Sequence, residues 1–391
     1  MMIPQVAGRL MEKYGQNAKT VADPFIGSGT TLVEAKVHHS LETAYGIDIN
    51  PLGRLMSKVK STPLDTELLK RSLNGIVERY RVRIGSDETY FIPDAPNLGL
   101  WFKPRVIRSL SVLRECINDI DMYDAETAGD AKDFFLLAFS GIVRSVSNTR
   151  NSEFKLYRMT EADVAEHNPD VIAEFVMKAE YNIAGMREFG KVCNDCTVNI
   201  LAEDMRYRTS IDPETADIVV TSPPYGDSRT TVAYGQFSRL SLEWLDLDTD
   251  ENIRQLDARG LGGRKAGTGN EVPLETLHEI LAKISSADEK RAAEVFSFYD
   301  DLFKCIKETD RIMKHGAPVC FVVGNRTVKK MNIPTDEIIA ELFEHLGHEH
   351  LETVIRNIPN KRMPSENSPA NRAGDTSPTM TKEHIVILRK P

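Results

Sequence analysis

The sequence predicts an α/β protein built on a mostly parallel sheet and interrupted by a long helical insertion. Three observations carry that prediction. The first sixty residues alternate a short apolar run, a helical pattern and a second apolar run, the signature of a βαβ unit. Strand signal then vanishes over 62–192 and returns afterwards. Finally, Ile218–Val220 and Val319–Val323 are apolar at every position, as strands covered on both faces are.

Taken in order, TVADPF (20–25) and TAYGIDI (43–49) flank the helical TTLVEAKVHH (30–39). Helical spacing of apolar residues recurs at 65–80, 104–119, 131–147 and 170–189, with Pro104 at a first helical position. Strands resume at 197–202, 216–221, 317–324, 351–358 and 383–390. A long helix at 291–315 and a shorter one at 334–347 lie between them. The stretch 226–290, rich in Gly, Asp and Arg, is expected to be mobile loops.

The 391 residues suffice for one large domain with an insertion, and no apolar run approaches the roughly 18 residues of a spanning helix. The N-terminus lacks the features of a signal peptide, and Cys116, Cys193, Cys196, Cys305 and Cys320 are few and scattered, which suits a reducing cytoplasm. Cys193 and Cys196 form a lone CxxC, for which a structural role outweighs a metal site. The net charge of -9 argues mildly against an acidic partner. Local basic clusters argue the other way: Arg144, Arg150, Lys155 and Arg158; Arg264 and Lys265; Arg356, Lys361, Arg362 and Arg372.

Two motifs carry chemistry. DPFIGSGTT (23–31) lies where the first strand turns into the first helix, and its glycines let the backbone approach a ligand at a helix start. Asp48 ends the next strand 19 residues beyond Gly29, the distance at which an acidic side chain meets a nucleoside's ribose. Leu32 stands where a dinucleotide fingerprint wants its third glycine, and no Gly-Lys-Ser/Thr follows, so a complete Rossmann fingerprint and a Walker A loop are both excluded.

The second motif is TSPPY (221–225), at the end of an apolar strand. Prolines lack an N–H, so two of them stop the ladder and leave acceptors facing the crevice where α/β proteins bind ligands. The Ser222 hydroxyl and the Pro223 carbonyl can both accept hydrogen bonds, and Tyr225 offers a flat face beside them. The exocyclic amine of a nucleobase matches that set, with two N–H donors on a planar ring.

DPFIGSGTT, GIDINP and TSPPY together resemble the motifs of amino-methyltransferases that act on DNA. The resemblance covers about 1–61 and 193–391, and implies a seven-stranded, Rossmann-like sheet with a C-terminal antiparallel pair and S-adenosylmethionine as cofactor. It implies that Asp23, Pro24, Phe25, Gly27, Ser28, Gly29 and Thr30 surround the cofactor's methionine end, Asp48 its ribose and Asp204 its adenine. Ser222, Pro223 and Tyr225 would hold a flipped base, with Pro224 shaping the turn. Serine at the first motif position resembles the cytosine-N4 enzymes more than the adenine-N6 ones.

The insertion 62–192, notably 144–158, is the expected target-recognition region, together with 226–290. Double-stranded DNA and a cognate restriction endonuclease are the implied partners. Three alternatives stay open: the N6 amine of adenine in DNA, the amine of a base in structured RNA, and a nucleic-acid-binding protein without turnover. Family members often carry a segment before the first strand that closes over the cofactor, and MMIPQVAGRL resembles only its tail. Asn325, after the 317–324 strand, is expected to be an ordinary loop residue rather than part of the base pocket.

Overall fold

The computed structural model describes residues 2–38, 40–120, 125–150, 155–227, 232–247, 252–264, 272–358, 366–367, 377–378 and 381–391. These divide into two compact units: 1–50, 194–233 and 256–391 form a sheet unit, and 51–193 with 234–255 form a helical unit.

The strands are β1 (Thr20–Asp23), β2 (Thr43–Ile47), β3 (Thr197–Leu201), β4 (Ile218–Thr221), β5 (Pro318–Val323), β6 (Arg326–Val328), β7 (Met331–Ile333), β8 (Glu349–Asn357), β9 (Glu366–Asn367), β10 (Ser377–Pro378) and β11 (Lys382–Arg389). Seven of them form one sheet in the order β3-β2-β1-β4-β5-β11-β8. Pairings from β3 to β5 are parallel, whereas β11 runs antiparallel to both β5 and β8. The seven-stranded, mostly parallel sheet with a C-terminal antiparallel pair is therefore present. Its strand order reverses between β1 and β4, and a crevice opens beyond the carboxyl ends at such a point.

Burial on both faces explains the apolar runs. Ile218 and Val220 pack into one core cluster while Val219 packs into the other, and β5 alternates in the same way, Cys320 and Val322 opposite Val319, Phe321 and Val323. Helices Pro4–Tyr14 and Thr30–Val37 cover the first face; Glu275–Ala287, Glu289–Ile312 and Thr335–His345 cover the second.

The helical unit is built around Trp244, fully buried and edge-on to Phe102 (5.8 Å) and Phe139 (6.4 Å). Three of its helices start on polar caps: the Asp65 side chain accepts from Glu67 N, Thr160 forms a capping box with Asp163, and Asp170 accepts from Ala173 N. Where the sequence reading bounds this insertion at 62 and 192, the compact unit also takes in Pro51–Ser61 and 234–255. The reason is burial: Leu52, Leu55 and Val59 on the first helix and Trp244 on Tyr234–Leu245 are core residues, and Lys58 pairs with Asp130 and Asp133. The 226–290 stretch expected to be loops carries helices at Tyr234–Leu245 and Glu275–Ala287; in the second, Leu277, Ile280, Leu281 and Ile284 fall at helical spacing, a signal the composition-based reading passed over.

Candidate active site

The turn after β1 is shaped by its backbone. Gly27 (φ 48°) and Gly29 (φ 81°) sit in the left-handed region, where a side chain is strained, and Gly29 opens the helix Thr30–Val37. Its amide donates to Ile26 O at 2.8 Å, and Ile26 N donates to Ile47 O at 3.1 Å, which ties the turn to β2. Ile26 lies against Gly46, where an added Cβ would come within 2.4 Å of the isoleucine side chain. By contrast, a Cβ at Gly27 would meet nothing within 4 Å, so the outer side of the turn stands open.

Asp48 follows β2 and accepts from Gly27 N (2.9 Å) and Asn50 N (2.7 Å). It thus braces the glycine turn from the end of β2. Asp23 is only 2% exposed. Its Oδ1 accepts from Phe25 N (3.0 Å) and from the Thr221 hydroxyl (2.5 Å), so the carboxylate faces β4 rather than the open turn. Burial pushes its pKa up to about 6 against the pull of Thr221, Thr31 and the Phe25 amide, with the nearby Asp48 charge adding to the rise. Pro24 is buried, Phe25 packs on the core, Ser28 is half-buried, and the Thr30 hydroxyl donates to Met2 O at 3.4 Å.

TSPPY leaves β4 beside this turn, because β1 and β4 pair directly. Thr221 and Pro223 are buried, and Ser222, Pro224 and Tyr225 are half-buried. Ser222 Oγ donates to Tyr225 Oη (3.4 Å), which donates to Glu383 Oε1 (3.2 Å) on β11. Glu383 Oε2 accepts from Arg356 Nε (3.0 Å) and Nη2 on β8. Two residues on, Asp227 is 1% exposed and held by Arg291 (2.8 and 3.2 Å) and Arg326 (2.9 Å). Burial alone would raise its pKa, but the two guanidinium groups outweigh it and hold the carboxyl down at about 2.

Asp204 stands three residues beyond β3, its carboxylate taken up by Arg206, which also pairs with Asp301. A ligand amine reaching Asp204 would share it with that guanidinium. Asn325 Oδ1 accepts from Asp336 N (3.2 Å) at the start of the helix Thr335–His345, the loop role expected of it.

The basic candidates separate. Arg144 donates to Lys155 O (3.2 Å) and lies over the Phe237 ring, closing its own loop; Arg158 pairs with Glu161. Arg150 is exposed, and Arg264 is exposed beside Lys290 and Glu294. Lys265, Lys361, Arg362 and Arg372 lie outside the described residues. Cys193 is half-buried and Cys196 buried, both free thiols, and Asn194 Oδ1 accepts from Cys196 N to shape that turn. No His/Cys/Asp/Glu cluster able to hold a metal occurs among the described residues.

The sequence reading did not identify Glu383, Arg356, Asp227, Arg291 or Arg326 as partners of the motifs. The available signal was a charge close to an apolar run: Glu383 stands two residues before Ile385–Leu388, and Asp227 lies two residues beyond the motif.

No protein-family profile matches the chain. It is 45% identical over 414 aligned residues to the type II methyltransferase M.MvaI of Kocuria varians, covering all of this chain and 89% of that protein. It is 22% identical to the type II methyltransferase M.BsoBI of Geobacillus stearothermophilus, covering 99% and 82%. Among solved structures, the rRNA methyltransferase aviRa of Streptomyces viridochromogenes aligns at 10% identity and a TM-score of 0.33, over 99% of this chain and 85% of that one; at that score the likeness carries no argument.

Proposed function

The chain belongs to the type II methyltransferases of restriction–modification systems, and on that premise we propose that it methylates the exocyclic N4 amine of a cytosine flipped out of double-stranded DNA. Its methyl donor is S-adenosylmethionine. Bound there, the cofactor supplies a methyl group on a positively charged sulfur.

The observation that carries the reading is the hydrogen bond from Thr221 to Asp23, which joins the glycine turn to the Pro-Pro turn where the strand order reverses. One turn suits the donor: an open glycine corner with a carboxylate, Asp48, at the ribose distance. The other suits the acceptor. The Ser222 hydroxyl and the Pro223 carbonyl accept the amine's two N–H groups and draw its lone pair out of the ring, and Tyr225 stacks on the base. As the amine gains the methyl group its N–H becomes acidic and the proton passes to solvent, while the Ser222 hydroxyl and the Pro223 carbonyl, too weakly basic to keep it, stabilise the developing positive charge. No residue forms a covalent bond to the base in this scheme, and none of the five cysteines adjoins either motif.

Ser222 supports cytosine over adenine through the resemblance of the motif's first position. We assign target readout to the helical unit, with Arg150 on its 144–158 loop among the DNA contacts and Arg264 a further one. A cognate endonuclease is the expected partner of such an enzyme, and the cytoplasm its compartment. Among the described residues no helix is long and apolar enough to cross a membrane.

Mass spectrometry of nucleosides from DNA treated with the protein and cofactor tests this directly. N4-methyldeoxycytidine is the expected product. N6-methyldeoxyadenosine would overturn the choice of base, and methyl incorporation into RNA but not DNA would overturn the polymer.

A further inference from the structure

We infer that Glu383, held by Arg356, is a positioning residue that fixes the ring of Tyr225 as the platform for the target base; this rests on the reading of TSPPY as the base-holding turn. Glu383 and Arg356 are direct cross-strand partners on β11 and β8, the antiparallel edge of the sheet. Glu383 is 5% exposed, and a buried carboxylate is costly unless its oxygens are used. Both are: Oε2 by the Arg356 guanidinium, Oε1 by the Tyr225 hydroxyl at 3.2 Å.

The division of labour follows from geometry. Tyr225 lies just beyond two prolines, which supply no N–H to hold the chain there. A ring tethered only at its Cβ can swing about χ1; tethered also at its hydroxyl, its long axis is fixed, and the preference of a phenolic O–H for the ring plane lets the direction of the Glu383 acceptor bias the rotation that remains. Arg356 orients the carboxylate, the carboxylate accepts the hydrogen bond of the phenolic O–H, and the stacking face is preorganised before a base arrives. The Ser222–Tyr225 bond, at 3.4 Å the longer of the pair, is the one that yields. Ser222 turns to the incoming amine while Glu383 retains the ring.

Arg356, which the sequence groups with the cations of 356–372, has its charge engaged inside the protein by Glu383. The antiparallel strands also gain a role beyond closing the sheet: they reach across β5 to the turn that ends β4.

A double-mutant cycle tests the inference on the full chain, with tritiated cofactor and unmethylated double-stranded DNA, reading kcat and DNA KM separately and cofactor Kd by calorimetry. Glu383→Ala and Tyr225→Phe should each lower kcat about tenfold, with cofactor Kd within about twofold of wild type. The double variant should be no slower than the slower single one, because both remove the same tether. Glu383→Gln, which keeps an acceptor oxygen, should recover part of the loss and covers the case in which Glu383→Ala fails to fold. Multiplying losses in the double variant, or full kcat in Glu383→Ala, would overturn the proposal. Tyr225→Ala separates the two readings. If it methylates DNA at the wild-type rate, the base-holding turn itself is wrong; if it is inactive while the Glu383 variants are normal, only the tether is.

Discussion

The turn after β1 and the turn after β4 leave neighbouring strands at the same edge of one sheet, yet they are held by different means. The first is held largely through its backbone: Ile26 N to Ile47 O and Gly29 N to Ile26 O, with the Asp48 carboxylate accepting from Gly27 N and the Ile26 side chain wedged over Gly46. The second is held by side chains, in the series Ser222, Tyr225, Glu383 and Arg356. A site shaped by backbone keeps its form through most side-chain changes, whereas one shaped by side chains has no such reserve. The donor side should therefore lose affinity when damaged, and the acceptor side turnover.

The sharpest way to break that contrast is at the acceptor. Ser222→Ala or Tyr225→Ala should lower kcat by about 10²–10³-fold, the cost of removing one preorganised group from a transition state. Cofactor Kd by calorimetry should stay within about twofold in both. A parallel loss of cofactor affinity would mean that the two turns do not work separately.

The second test concerns Asp23, which joins them. With a folded-state pKa of about 6 against the usual 3.8, the folded protein binds more protons than the unfolded chain between those values, so stability falls as pH rises from about 4 to about 6. The shift corresponds to about 3 kcal/mol, and Asp23→Asn, which stays neutral, should flatten that slope in urea unfolding at pH 4.5 and 7.5. Below pH 4 the trend reverses, because Asp227, held at about 2 by Arg291 and Arg326, loses its pairing as it protonates.

The smallest expected effect is at the donor. Asp48→Ala removes a ribose acceptor and the partner of Gly27 N and Asn50 N, while Ile26 N–Ile47 O and Gly29 N–Ile26 O still hold the turn, and should weaken cofactor binding about tenfold, or about 1.4 kcal/mol. kcat at saturating cofactor should change less than Kd does, and an unchanged Kd would remove Asp48 from the cofactor site.

Most of the sheet was legible because its strands are short apolar runs between turn residues, and burial on two faces leaves that mark. Helices Pro51–Ser61 and Tyr234–Leu245 were not, since PLGRLMSKVKS and YGQFSRLSLEWL scatter Gly, Ser and charges among a few core residues. The motifs were legible because each lies within nine consecutive residues or fewer. Their supports were not. Tyr225 and Glu383 are 158 positions apart and Arg291 and Asp227 are 64, and no local pattern links such pairs. Arg356 looked like one cation of a cluster because a sequence displays charge but not the carboxylate opposite.

The Thr221–Asp23 bond spans 198 positions of chain and only 2.5 Å of space. It behaves as a locating pin between two parts machined separately: the gap between donor and acceptor turns is set at the pin, not accumulated along the intervening chain. The 51–193 segment threaded between those two residues can therefore lengthen or shorten without resetting the spacing of the two turns.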